Sequence, residues 1–178
     1  MKSKLVILFI CLSSQLFAQE AVLPIHTINV EQFTGFTKHY FGLGIGAFYE
    51  ARWKKSILSL GANGIAELTI FGQAQSEQEV YILYKRILLQ RDFIEIQAGT
   101  GIAYVHNSIQ YQYVHSPCNC SADYMLIRKN SIGIPANLTV MFPLKRFQFG
   151  IITSANYNAI NPYAALGVSI GYKINKSR

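Results

Sequence analysis

From Phe41 to Glu50 the chain alternates without a break. Phe41, Leu43, Ile45, Ala47 and Tyr49 fall on one side, and Gly42, Gly44, Gly46, Phe48 and Glu50 on the other. A period of two is the signature of a β-strand whose two faces meet different surroundings. The pattern returns over 57–70, where Leu58, Leu60, Ala62, Ala66 and Leu68 oppose Ser59, Gly61, Asn63, Glu67 and Thr69. It returns over 93–105, with Ile94, Ile96, Ala98, Ile102 and Tyr104 against Glu95, Gln97, Gly99 and Gly101. Over 131–142, Ile132, Ile134, Ala136, Leu138 and Val140 oppose Ser131, Gly133, Pro135, Asn137 and Thr139. Over 163–174, Ala164, Leu166, Val168, Ile170 and Tyr172 oppose Ala165, Gly167, Ser169 and Gly171. Residues 147–157 and 80–88 also read as strands, the second with no facing that its sequence assigns. Residues 22–30 read as a weak first strand, because Pro24 and poor alternation work against it.

The strands are about 10–14 residues long, the length a tilted strand needs to cross a bilayer. Connections alternate in length: 52–56, 89–92 and 143–146 are short, whereas 33–39, 71–79, 106–126 and 157–162 are longer. Short turns at one end and longer loops at the other fit a transmembrane barrel. In hydrocarbon an open sheet edge leaves N–H and C=O groups unpaired at several kcal/mol each, so the sheet must close. The expected fold is all-β: a closed antiparallel up-and-down transmembrane β-barrel of eight strands. A barrel of eight strands encloses only enough room for side chains, which suits glycines on the inner face and predicts a plugged lumen.

The N-terminus changes where this barrel belongs. Lys2 and Lys4 precede an apolar run from Leu5 to Cys11, and Leu16-Phe17-Ala18 offers a cleavage site before Gln19. That is a secretory signal peptide over 1–18, too short in its apolar part to span a membrane as a helix. Ile10 before Cys11 does not suit a lipoprotein signal. Residues 19–178 then form one barrel domain. Charged residues make up only 14% of the sequence and mean hydropathy is positive, although a soluble domain usually carries about a quarter charged residues. The formal net charge is +7, but the cations cluster where strands meet turns. An exported chain with that placement is expected to meet anionic headgroups or solvent, and no nucleic acid.

With the signal, the strands and the loop asymmetry together, residues 40–174 resemble the small outer-membrane β-barrel family, of the outer membrane protein A and X type. Phe17-Ala18-Gln19 resembles signals of Bacteroidota. The resemblance implies outer-membrane lipid as surroundings, the cell outer membrane as location and the barrel-assembly machinery as a partner during biogenesis. It also implies a C-terminal assembly signal, whose spacing Gly167, Ile170 and Tyr172 fit. Ala165 stands where that signal has a polar residue, and the chain runs on to Arg178. Aromatics near strand ends, among them Tyr40, Tyr49, Trp53, Phe93, Phe142, Phe147, Tyr163 and Tyr172, suit interfacial girdles.

Candidate chemistry lies in the lumen and in one loop. Glu50, Glu67 and Glu95 are expected to face inward, and buried charges persist only when paired. Arg86 and Lys129, with Lys85 and Arg128 as alternatives, are the expected partners in a lumen charge network. Cys118 and Cys120 are candidates for a loop disulfide, which an exported protein can form; with His115 they make only a weak metal pattern. Loop 106–126, with Tyr111 and Tyr113, is the expected contact surface for a ligand or protein. No catalytic, cofactor-binding or metal site is expected. The leading functional reading is a non-enzymatic membrane barrel with a structural or surface-interaction role. Two alternatives stand beside it. One is a secreted soluble barrel binding an apolar ligand, which requires the aliphatics inside. The other is a membrane-surface lipid A acyl-ester hydrolase, which would use His106 and Ser108.

Overall fold

The computed structural model describes residues 24–69, 74–113 and 123–174. Eight strands follow in chain order: β1 (Ile25–Thr37), β2 (Phe41–Trp53), β3 (Ser56–Glu67), β4 (Ser76–Gln90), β5 (Glu95–Tyr113), β6 (Asp123–Pro143), β7 (Phe147–Asn158) and β8 (Tyr163–Lys173). Each pairs antiparallel with the next, and β1 pairs with β8 from Thr27↔Lys173 to Thr37↔Tyr163, closing the barrel. No sheet edge is left open along the wall. No helix among the described residues is long and apolar enough to cross a membrane, which has no bearing on a barrel.

The alternation sets the facing. Ile45, Leu60, Ile82, Ile102, Ile132, Ile134, Leu166 and Val168 are each at least half exposed on the outer surface. Thr27, Asn29, Glu50, Ser59, Gln97, Thr139 and Ser169 are buried inside. The barrel is therefore apolar outside and largely polar within, the reverse of a soluble barrel with an apolar cavity. Glycines on the inner face make the space that large lumen side chains fill. A Cβ at Gly44 would overlap the ring of Phe33 on the neighbouring strand, and one at Gly99 would lie 2.5 Å from Lys85 Cγ.

Several boundaries differ from the sequence expectations. β1 is a full strand to Thr37, with Ile28 and Val30 outward and Thr27, Asn29, Glu31 and Phe33 inward. Its polar inward side chains blur the apolar count without disturbing the parity. Segments 71–79 and 106–126 are not loops throughout. β4 begins at Ser76, β5 continues to Tyr113 and β6 begins by Asp123. β5 pairs with β4 only as far as Ser76↔Ser108, and β6 pairs with β7 only from Gly133↔Asn158. Beyond those points β5 and β6 pair with each other up to Tyr113↔Asp123. The two strands form a hairpin standing above the rim. The β1–β2 connection is only Lys38–Tyr40, so the loop-end connections are not uniformly long. Cys118, Cys120 and His115 lie outside the described residues, as does the signal segment 1–18.

Candidate functional site

Two places concentrate chemistry: the lumen and a cleft at the loop end. The lumen is built in layers, because inward side chains on paired strands meet at the same height. Nearest the short turns, Arg52 at the end of β2 pairs with Glu95 at the start of β5, Nη2 to Oε2 2.8 Å. Gln97 Nε2 donates to Glu95 Oε1 at 2.7 Å. One layer in, the Lys85 ammonium of β4 meets Glu50 Oε1 at 2.8 Å and sits 4.6 Å from the centre of the Phe48 ring. Asn29 Nδ2 donates to Glu50 Oε2, and Gln148 Nε2 donates to Asn29 Oδ1. Both members of the Lys85–Glu50 pair are almost wholly shielded from solvent. In that setting the pair is held by geometry and satisfied hydrogen bonds, since each charge alone carries a large desolvation cost.

Above this, Phe48, Tyr81, Leu83, Ala103, Val105 and Ile152 make an apolar layer. The loop-end half is different again. Glu79 accepts from Asn63 Nδ2 at 2.7 Å, from the Tyr163 hydroxyl at 2.7 Å and from Asn156 Nδ2. Glu77 accepts from Asn161 Nδ2 at 3.0 Å and, more distantly, from Asn158 Nδ2. Asn158 Oδ1 accepts from the backbone N–H of Ile160 and Asn161, fixing the β7–β8 turn under the cluster. Burial, with Glu77 close by, pushes the Tyr40 phenol above its ordinary range. Phe33, Tyr40, Ile65, Tyr163 and Ala165 pack around these groups.

The residues expected in the lumen network are placed differently from one another. Glu50 and Glu95 are buried and ion-paired, but their partners are Lys85 and Arg52. Arg86 is exposed on the outer face, because Lys85 and Ile87 on either side of it point inward. Lys129 is exposed at the loop end, directly opposite Asn107 and so on the lumen-facing side of β6, with no ion pair among the described residues. Glu67 sits at the rim, where it accepts from the N–H and side-chain amide of Gln75 instead of a cation. Arg52 was hidden in the basic turn 52–56. Glu77 and Glu79 were hidden in a segment read as loop. The signal that reveals both carboxylates is parity, once β4 is extended back to Ser76.

The outer cleft has a volume of about 310 Å³ and lies between the β1–β2 connection, the β5–β6 hairpin and the β7–β8 turn. Lys38, His39 and Lys129 bring basic groups to it; Ile109, Ile127 and Ile160 supply an apolar wall. Among the described residues no carboxylate lines it. His106 lies outside this cleft and shares a face with Ser108. Its Nδ1 is 2.7 Å from Asn130 Oδ1. Gly167, Ile170 and Tyr172 all lie on β8; Ile170 and Tyr172 face outward, and Tyr172 meets Phe147 edge-on with ring centres 5.4 Å apart. Of the aromatics expected in girdles, Trp53, Phe93, Phe147 and Tyr172 are exposed outside, but Tyr40 and Tyr163 are buried in the lumen. Their hydroxyls have polar partners there, which is where a buried tyrosine is stable.

No family model matches the sequence, and no curated relative does either. The fold has clear counterparts among solved structures. Neisserial surface protein A superposes with a TM-score of 0.65 at 8% identity, over 88% of this chain and 100% of that one. Ail of Yersinia pestis, in complex with the heparin analogue sucrose octasulfate, gives 0.56 at 7% identity over 86% and 100%. The N-terminal β-barrel domain of Pseudomonas aeruginosa OprF gives 0.51 at 10% identity over 85% and 99%. At these identities the likeness establishes a shared eight-stranded barrel fold and leaves function to this chain's own residues.

Proposed function

We propose that the protein is an integral outer-membrane β-barrel with a surface-interaction role, anchored by its wall and making contact through its loop end. The observation that carries this reading is the facing of the wall. A continuous band of exposed Ile, Leu, Val and aromatic side chains surrounds a closed barrel whose interior is polar. An apolar band of that extent exceeds the patches soluble monomers expose, and hydrocarbon is the solvent that suits it. The counterpart Ail, an outer membrane protein of Yersinia pestis, supports the same location. The lumen is filled by side chains, so the role lies in contact and not in a wide pore. In this reading the barrel-assembly machinery inserts the chain, with Gly167, Ile170 and Tyr172 as its recognition strand.

The contact surface is narrower than the segment 106–126 taken whole. Its centre is the cleft walled by the hairpin, where Lys38, His39 and Lys129 stand beside Ile109, Ile127 and Ile160. Such a site suits an anionic group on a saccharide or lipid of the cell surface, and one structural counterpart holds a sulfated sugar. The reading is non-enzymatic. His106 bonds an amide, Asn130, where a hydrolytic triad would need a carboxylate.

The test uses the mature chain refolded into neutral lipid vesicles and titrated with sucrose octasulfate as an anionic probe. Binding is expected at low ionic strength and should weaken as salt screens the cations. The double substitution Lys38→Glu and Lys129→Glu is expected to abolish it while the barrel still forms. Binding unchanged in that variant would refute the assignment of the cleft.

A further inference from the structure

The lumen holds more carboxyl groups than basic ones. Among the described residues Glu31, Glu50, Glu77, Glu79 and Glu95 are buried, and the two ion pairs are Lys85–Glu50 and Arg52–Glu95. Both cations serve the half near the short turns. Glu77 and Glu79 occupy the other half with only neutral donors: Asn63, Asn156, Asn158, Asn161 and Tyr163. Glu31 adds a third carboxylate beside Gly46 and Asn63. Lys38, His39 and Lys129 are exposed at the outer cleft, Lys129 directly opposite Asn107 in the β5–β6 register, and among the described residues they make no ion pair with these carboxylates.

A second feature lies at the same height. Asn107 of β5 is directly opposite Glu77 in the β4–β5 register, and it is fully buried. Among the described residues neither its amide oxygen nor its amide nitrogen has a hydrogen-bond partner, and Asn161 Oδ1 has none. Asn161 is also fully buried, and its nitrogen is the group that holds Glu77 Oε2. Two amide oxygens without donors among the described residues therefore sit beside the Glu77 carboxyl in a buried compartment. Buried polar atoms left unmet are costly. One cation would give all three groups a partner.

We propose that the loop-end lumen is a binding site for a hard cation of the calcium type, formed by the Glu77 carboxylate with Asn107 Oδ1 and Asn161 Oδ1. Glu79 lies one layer below and adds negative charge to the same compartment. All of these ligands are oxygens, with no sulfur or imidazole, and that donor set favours calcium-like ions over softer metals. The ion would tie β4, β5 and the β7–β8 turn together beneath the outer cleft. It would make the rim of the barrel more rigid where the contact surface stands.

The experiment is terbium luminescence on the mature chain, refolded into detergent in the presence of EDTA and then freed of it. Terbium replaces calcium and emits when excited tyrosines lie close; Tyr163, bonded to Glu79, and Tyr40 are the sensitisers here. A saturable emission is expected, displaced by calcium, together with a calcium-dependent rise in the thermal unfolding midpoint. Glu77→Gln is expected to weaken terbium binding about tenfold or more. Asp92→Asn, at an exposed turn on the opposite end, is expected to leave it unchanged. Should Glu77→Gln not fold, Asn107→Ala removes a neutral ligand and is expected to lower affinity in the same assay. Absence of saturable emission from the wild-type protein, with an unfolding midpoint indifferent to calcium and EDTA, would overturn the site. So would unchanged binding in a folded Glu77→Gln protein.

Discussion

Lys85 is held on three sides: by Glu50 at 2.8 Å, by the Phe48 ring and by the bare backbone of Gly99, where a Cβ would collide with its stem. Replacing it with methionine leaves Glu50 charged and unpaired in the lumen. Breaking a buried pair from one side costs about 3–5 kcal/mol. Lys85→Met is therefore expected to lower the urea midpoint of the detergent-refolded barrel sharply. Adding Glu50→Gln to it should restore much of the loss, because no lone charge remains. Equal losses in the single and double variants would mean that the pair is not coupled. At this scale the sequence disclosed the acids better than their partners. Glu50 and Glu95 end or begin strands of clean alternation, so their facing was legible. Lys85 lies on a strand with aliphatics on both faces, Val80 and Ile82 outward, Leu83 and Ile87 inward. Parity alone did not separate Lys85 from Arg86 there. Arg52 looked like part of a basic turn until the register placed it opposite Ile25 and within reach of Glu95.

The β5–β6 hairpin is the element that departs most from what its residues suggest. Gln110, Tyr111, Gln112 and Tyr113 include no aliphatic residue, so a loop is the natural reading. Their strand character comes from pairing with β6, where Ile109↔Ile127 and Tyr111↔Met125 continue the ladder above the wall. Tertiary pairing overrides local preference in such segments. The β4 ladder ends at Ser76↔Ser108 and the β7 ladder begins at Gly133↔Asn158, and beyond them the Gln110 N–H still donates to Gln75 Oε1 at 3.2 Å, so the projecting strands add little to closure. Excising 111–125 and rejoining the strands by a tight turn is expected to leave the unfolding free energy of the barrel within about 1 kcal/mol of the parent, with little shift of its thermal midpoint. Thermal unfolding in detergent measures this directly. A variant that fails to fold would show that closure is nucleated through the hairpin. β1 teaches the complementary lesson. Pro24 and the polar run Asn29, Glu31 and Gln32 weakened it as a sequence signal, yet Asn29 and Glu31 are polar because they face a lumen, and the strand is complete.

For the molecule as a whole, one regularity organises the rest: side chains of one parity look outward and those of the other fill the middle. Eight strands, closure and the outward aliphatics were legible because that regularity survives along most of the chain. The mixed interior was not, since the apolar layer of Phe48, Leu83, Val105 and Ile152 comes from inward positions that break the polar pattern. The loop-end acids escaped notice for a related reason, lying where strand and loop could not be told apart by composition. The role at the cell surface depends on the wall being immersed in hydrocarbon, and nitroxide scanning of β2 examines that most directly. With Cys118 and Cys120 replaced by serine, single cysteines at 43, 45, 47 and 48 would be spin-labelled in the vesicle-embedded protein. Labels at 43, 45 and 47 should show high collision rates with oxygen and low rates with a water-soluble nickel chelate, while that at 48, in place of the inward Phe48, is shielded from both. Nickel accessibility at the odd positions equal to that of an aqueous label would place the wall in water and contradict the membrane reading.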